Sequence, residues 1–316
     1  MINIAIISEG KTETSKIIST YVSDFLQTRG YHTEIIFIGN KIWKTPSNDV
    51  VDKNDFSIKR DGQKIIFQCA YIYSEEEITK GWIQGYLSIL SIPYISSSPF
   101  TTMLATNKFF CKKILEQAGI PTPKAIKLKT KTDIHLDKIV ENIGFPCIVK
   151  PNIGTDSLFI IKAKNTVELE NGIHAILEQG VEVLIEEFID GRDMPCGVMA
   201  LNEVLTATPV TEIVVLDGEF YSYEVKLGRK NEKFTPAPLS EHLTHTCQEL
   251  SKKIFREIGC DGFVRIDYVL LGEIFYFLEV NVTPGLSPRS NFPLQLEAMN
   301  MKIDELFVEL INNKLN

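Results

Sequence analysis

Gly262-Phe-Val-Arg265-Ile-Asp267-Tyr-Val-Leu-Leu-Gly272-Glu-Ile-Phe-Tyr-Phe-Leu-Glu279-Val-Asn281 reads as a β-hairpin that turns at Gly272-Glu273. Arg265 and Asp267 stand two apart and share one face of the first strand, as Glu279 and Asn281 do on the second. Register decides whether the four meet. Pairing Asp267 with Glu279 and Arg265 with Asn281 also sets Ile266 opposite Val280, Tyr268 opposite Leu278 and Leu270 opposite Tyr276, so every apolar residue meets an apolar one. A register one residue over, from a tight two-residue Gly-Glu turn, sets Ile266 against Glu279. The hydrophobic pattern therefore selects the first register and predicts a three- or five-residue loop.

That register puts two carboxylates opposite each other with Cβ atoms ~5 Å apart. Like charges so close repel, and a cation belongs between them. Arg265 can neutralise one. Asp267, Glu279 and Asn281 form an all-oxygen set suited to Mg2+ rather than Zn2+, and Mg2+ is commonly held by few carboxylates plus substrate phosphates. The plainer reading is a surface hairpin with ordinary charged residues. Its flanking aromatics argue against that, because they imply burial and buried carboxylates need partners. The loop Val282-Thr-Pro284-Gly285-Leu-Ser-Pro-Arg289-Ser290 follows. A glycine loop there can bring backbone N–H groups to a developing oxyanion, and Ser290 with Arg289 suits a carboxylate.

Lys150 ends the apolar strand Pro146-Cys-Ile-Val149, where a lysine is costly unless an anion meets it. Lys108 starts an otherwise apolar helix, and Lys226 ends a strand over Phe220–Val225. Each alone reads as a solvated lysine. Three of them with a carboxylate cluster point to a nucleoside triphosphate. Val183-Leu-Ile-Glu186-Glu187-Phe-Ile-Asp190-Gly191-Arg-Asp193 is a strand that turns polar and then bends. Its backbone groups at 187–189 suit an adenine, and a carboxylate shortly after suits ribose hydroxyls.

The rest of the chain bounds the alternatives. Its 316 residues are 44% hydrophobic and 23% charged, which excludes a small disulfide-stapled peptide and a mainly disordered chain. Lys+Arg 33 against Asp+Glu 41 gives −8, a poor balance for nucleic-acid binding. No run approaches the ~20 apolar residues of a membrane span. Met1 to Glu9 reads as a buried first strand rather than a signal peptide, and six cysteines without a CxxC read as reduced core thiols, so a cytoplasmic location is expected. Gly10-Lys11-Thr12 mimics the end of a phosphate loop, but Ala5 stands where the first glycine is needed. His242 and His245 read as solvated helix residues, since no HExxH is present.

Periodicity predicts α/β and α+β layers. Residues 1–98 read as a Rossmann-like half, with strands Ile2–Ile7, His32–Ile38, Ile65–Tyr73 and Pro93–Ile95 and helices Thr14–Arg29 and Glu76–Leu90. Residues 99–189 read as a small α+β lobe, opened by a helix around Asn107–Ala118 and carrying strands Ala125–Leu128, Cys147–Pro151, Leu158–Ala163 and Val183–Phe188. Residues 190–316 hold longer strands, a helix over Ser240–Ile258 and one or two closing helices.

On these residues the chain resembles the ATP-grasp superfamily, and within it the D-alanine–D-alanine ligase group. The likeness covers almost the whole chain and is most specific over GFVRID…FLEVNVTPGLSPRS. The resemblance implies three lobes, ATP and two Mg2+ (with Mn2+ as an alternative), and small amino-acid substrates. It implies phosphate contacts from Lys108, Lys150 and Lys226, and an adenine site lined by Glu186, Glu187 and Ile189 with ribose on Asp193. Metal ligation falls to Asp267, Glu279 and Asn281. Arg265 and the Gly285 amide would stabilise a tetrahedral intermediate, Ser290 would hold the second amino acid's carboxylate, and Glu13 the first one's amine. A homodimer is expected from the resemblance alone.

Three departures fall on the amino-acid side. Leu227 stands where a tyrosine is expected; the loop Asn152 to Ser157 is one residue short, with Thr155 in place of a serine hydroxyl; and Cys69-Ala-Tyr-Ile-Tyr-Ser-Glu replaces a glycine-rich segment. The leading expectation is an ATP-dependent ligase that joins two small amino acids through an acyl phosphate. The alternatives are another amino-acid or hydroxy-acid acceptor, or a nucleotide-binding homologue without ligase activity.

Overall fold

A computed structural model describes residues 1–10, 12–39, 42–73, 81–154, 159–202, 204–216 and 231–316. Its first sheet contains β1 (Asn3–Ser8), β2 (His32–Ile38) and β3 (Trp43–Lys44). After a separate hairpin of β4 (Ser57–Arg60) with β5 (Gln63–Ile66), it is completed by β6 (Cys69–Tyr73) and β7 (Tyr94–Ile95). The order is β3-β2-β1-β6-β7, parallel except for β3. Ile4, Ile6 and Ile7 are fully buried because both faces of this sheet are covered. On one face lies α1 (Glu13–Thr28), where Thr12 accepts from the Ser15 amide at 3.0 Å and Ile18, Val22 and Leu26 point inward. On the other lies α2 (Trp82–Ile89), through Ile83 and Leu87.

Two expected elements divide. The strand read over Ile65–Tyr73 is β5 plus β6. Phe67 leaves the line to pack on Phe56, with ring centroids 5.2 Å apart, while Ile66 is 48% exposed, so an unbroken apolar run hides a break in the backbone path. The helix around Asn107–Ala118 is the second of two: Ser98 caps α3 (Pro99–Thr106), and Asn107 ends it and caps α4 (Lys108–Gln117) through the Phe110 amide. The first turns of the helix expected from Glu76 lie outside the described residues.

The second sheet holds β8 (Ala125–Leu128), β9 (Cys147–Pro151), β10 (Ile161–Ala163) and β11 (Val183–Glu187) in the order β10-β9-β11-β8, antiparallel throughout. The helices α5 (Leu136–Ile143) and α6 (Thr166–Leu177) cover it, with Val149, Ile173 and Ile185 at the centre of their shared core. The strand expected over Leu158–Ala163 is shorter, because Phe159, at φ 60°, and Ile160 precede β10 without joining it; Leu158 lies outside the described residues.

The third sheet joins β12 (Arg192–Asp193), β13 (Cys196–Leu201), β14 (Val204–Ala207), β15 (Glu212–Val215), β16 (Asn231–Phe234), β17 (Phe263–Leu271) and β18 (Ile274–Asn281). Along it, β17 lies between β18 on one edge and β13 with β12 on the other. The helix α7 (Glu241–Glu257) buries Cys247, Ile254 and Phe255 in one core with Val264, Ile266, Tyr268 and Leu270, and leaves His242 and His245 exposed. The last helices are α8 (Asn291–Ala298) and α9 (Ile303–Leu315). Leu306, Phe307 and Leu310 of α9 pack with Ile4, Ile6 and Tyr71, so the end of the chain covers the sheet formed by its beginning. All six cysteines are free and five are buried. No helix among the described residues is long and apolar enough to cross a membrane.

Candidate active site

The hairpin pairs Arg265 with Asn281, Ile266 with Val280 and Asp267 with Glu279, the register its hydrophobic pattern selects. One residue further the register changes. Tyr268 pairs with Phe277, Leu270 with Phe275 and Leu271 with Ile274, which leaves Leu278 as the extra residue of a β-bulge. The expected pairs Tyr268 with Leu278 and Leu270 with Tyr276 are therefore replaced. The turn is also two residues long, not three or five, with Gly272 at φ 61°. A tight turn demands one register and the oxygen cluster demands the other; the bulge satisfies both. Without it Glu279 would oppose Ile266 and enter the apolar core that holds Phe275 and Phe277.

On the polar face, Arg265 grips Asp267 with two hydrogen bonds, Nε to Oδ1 at 2.7 Å and a terminal nitrogen to Oδ2 at 2.8 Å. Asn281 Nδ2 donates to Asp267 Oδ2 at 3.1 Å and to Glu279 Oε1 at 3.4 Å. Lys108 Nζ lies 3.5 Å from Glu279 Oε2, so the first residue of α4 reaches the hairpin. Burial pushes the Glu279 carboxyl up, but Lys108, Lys150 and Arg265 outweigh it and hold the carboxyl below its usual range.

The second sheet supplies the rest. Lys150 Nζ meets Glu186 Oε2 at 2.6 Å. On the other side of that carboxylate stands Lys112, a wholly buried lysine that sequence reading passed over, 3.0 Å from Oε1 as a charge contact without hydrogen-bond alignment. Lys112 also donates to the Phe277 carbonyl at 2.9 Å. Its signal was present: on α4 the buried positions are Lys108, Cys111, Lys112 and Leu115, a core-facing stripe that contains two lysines. Lys108 further donates to the Gly154 carbonyl, and Asn152 accepts from the Phe109 amide at 2.9 Å, so the loop after β9 is fastened to the start of α4.

The other predicted residues fall as follows. Glu187 accepts from the Lys124 amide at 3.0 Å, and half-buried Ile189 lies where the chain passes from the second sheet to the third. Asp193, on β12, pairs with Val269 of β17, and its carboxyl is pushed up to about 7 by burial and then by the charge of Asp267. Ser290 Oγ shares a 2.7 Å hydrogen bond with Ser287, and a Cβ at Gly285 would come within 3.0 Å of Ser290 Oγ, so these two predicted residues adjoin. Glu13 is exposed on the first turn of α1, and no described contact joins it to the others. Lys226, Thr155 and Leu227 lie outside the described residues.

The donor set fits a hard divalent cation. Two opposed carboxylates are already drawn together by a shared amide donor, an arginine and a lysine, and Asn281 retains an oxygen beside them. Among the described residues no group of three His, Cys, Asp or Glu could hold a metal, so an ion here would take other ligands from water or phosphate.

The family model described as D-ala D-ala ligase C-terminus matches residues 114–312. A D-alanine–D-alanine ligase of Bacteroides fragilis is 32% identical over 323 residues, covering 99% of both chains. One of Flavobacterium johnsoniae is 32% identical over the whole of both. Among solved structures, D-alanyl-alanine synthetase A from Vibrio cholerae superposes with a TM-score of 0.87 at 22% identity, covering 99% of this chain and 98% of that one. VanG D-Ala:D-Ser ligase from Enterococcus faecalis does so with a TM-score of 0.85 at 22% identity, covering 98% of each chain.

Proposed function

The chain belongs to the D-alanine–D-alanine ligase family and has its ATP-grasp fold, and from that premise we propose that it joins two D-alanines in an ATP-dependent, ADP-forming reaction. The observation that carries this reading is that Lys108 meets the bulged hairpin that presents Arg265, Asp267, Glu279 and Asn281, while Lys112 links that hairpin, at the Phe277 carbonyl, to the Glu186 carboxylate held by Lys150. Lys108, Lys112 and Lys150 are opposed locally by Glu186 and Glu279, which leaves one excess positive charge for an anion.

In this reaction the carboxylate of one D-alanine attacks the γ-phosphorus of ATP, giving an acyl phosphate and ADP. The deprotonated amine of a second then attacks the carbonyl, and phosphate leaves. A carboxylate is a poor electrophile, so phosphorylation supplies its leaving group, and no covalent protein nucleophile is needed. Lys108 and Lys150, with Lys226, hold phosphate oxygens. Glu187 and Ile189 edge the adenine site with Glu186 behind them, and Asp193 takes the ribose. Asp267, Glu279 and Asn281 would hold Mg2+, which when bound neutralises phosphate charge. Arg265 and the Gly285 amide stabilise the tetrahedral oxyanion. Ser290 holds the second substrate's carboxylate, Glu13 the first one's amine, and Thr155 donates a hydroxyl.

The lobes of this enzyme are residues 1–98, 99–189 and 190–316. The family resemblance is what supports a cytoplasmic homodimer. Phosphate release from Mg-ATP, measured with D- and L-amino acids singly and in pairs, tests the reading. Release that depends on D-alanine, with the dipeptide as product, is expected. Release with another pair alone would move the proposal to a different acceptor, and release with none would overturn it.

A further inference from the structure

We infer that Lys112 is a positioning residue for ATP: it takes one oxygen of Glu186, so that the charge of Lys150 is not fully spent on that carboxylate and remains available to the phosphates. The inference rests on the ATP-dependent reading above and deepens it. Glu186 is 2% exposed and divides its two oxygens between Lys112, at 3.0 Å, and Lys150, at 2.6 Å. A carboxylate shared between two ammoniums neutralises neither. Burying an ammonium is costly, and at a purely structural position an apolar side chain would serve as well. The neighbouring buried positions on α4 are Cys111 and Leu115, so the surroundings accept apolar groups.

Lys112 is fixed from a second direction. It donates to the Phe277 carbonyl at 2.9 Å, and its Nζ lies 5.6 Å from the centroid of that ring. The Phe277 amide donates to the Pro121 carbonyl at 2.8 Å. Both backbone groups of the residue before the bulge are thus engaged away from β17, and one of them holds Lys112. The ammonium is therefore held beside Glu186 from a second side. Burial pushes the Lys112 ammonium down toward neutrality, and Glu186 opposes that shift. Without Lys112, Glu186 closes on Lys150 alone, and the local excess of one positive charge disappears.

The test compares Lys112→Met and Lys112→Arg with the wild type. It uses calorimetric binding of Mg-ATP and separate KM values for ATP and D-alanine. Lys112→Met should raise the Kd and KM for ATP about tenfold, the loss of one charge-assisted contact, and leave the KM for D-alanine within about twofold. Lys112→Arg, which keeps a cation against Glu186, should bind Mg-ATP within about threefold of wild type. A merely apolar packing role at position 112 would favour methionine over arginine instead. Unchanged ATP binding in Lys112→Met, or Lys112→Arg binding as weakly as Lys112→Met, overturns the inference. Should Lys112→Met fail to fold, Lys112→Gln, uncharged and of similar length, takes its place with the same expected and overturning results. A wild type that binds no Mg-ATP defeats the ligase reading instead.

Discussion

The β17–β18 hairpin and the first turn of α1 carry the two ends of the proposed reaction, and they are held very differently. Arg265, Asp267, Asn281, Glu279 and Lys108 form one continuous chain of polar contacts over an apolar core. Glu13 sits exposed, with no described contact to that chain. The contrast teaches that the nucleotide end is organised before substrate arrives, whereas Glu13 is tied to it by no described contact. Preorganised charges act most strongly because nothing has to reorient during reaction.

Substitutions break that contrast in graded ways. Glu279→Ala, in steady-state phosphate release, should lower kcat on the order of a thousandfold while circular dichroism stays native, because it removes charge stabilisation at the reacting phosphates. Phe277→Ala should cost about 3–5 kcal/mol in denaturant unfolding, since it empties a fully buried ring site beneath the bulge. Glu13→Gln should change the melting temperature little and raise the KM for one D-alanine about tenfold, with the KM for ATP unmoved. Leu227→Tyr should improve use of D-alanine by a few-fold if the missing hydroxyl limits that step. An unchanged KM would show that this departure is not limiting.

The polar cluster was legible because alternation on two strands leaves few registers in which apolar residues meet. Arg265 with Asn281 and Asp267 with Glu279 follow from that alone. The bulge was harder to see. Ile274-Phe-Tyr-Phe-Leu278 is apolar without alternation and so marks no phase, and the shift shows only in burial, where Phe275 and Phe277 are followed by Val280. A change of phase inside a strand is what one inserted residue produces. Lys112 was missed for another reason. Lysine in a core-facing stripe is ordinarily read as a surface residue, and its partner Glu186 lies on β11, far away in the sequence, where local periodicity carries no information. The same limit hid the seat of α9, whose amphipathic stripe marks it as packed but not against which sheet.

The seat of α9 matters for how the fold holds together. Residues 303–315 seal hydrophobic surface on β1 and β6, strands far away in the sequence, with Phe307 lying 4.8 Å, ring to ring, from Tyr71. With α9 undocked, Ile4, Ile6 and Tyr71 lack that cover. A chain cut before residue 303 thus presents a sticky half-built face, and the first sheet is sealed only by a distant segment.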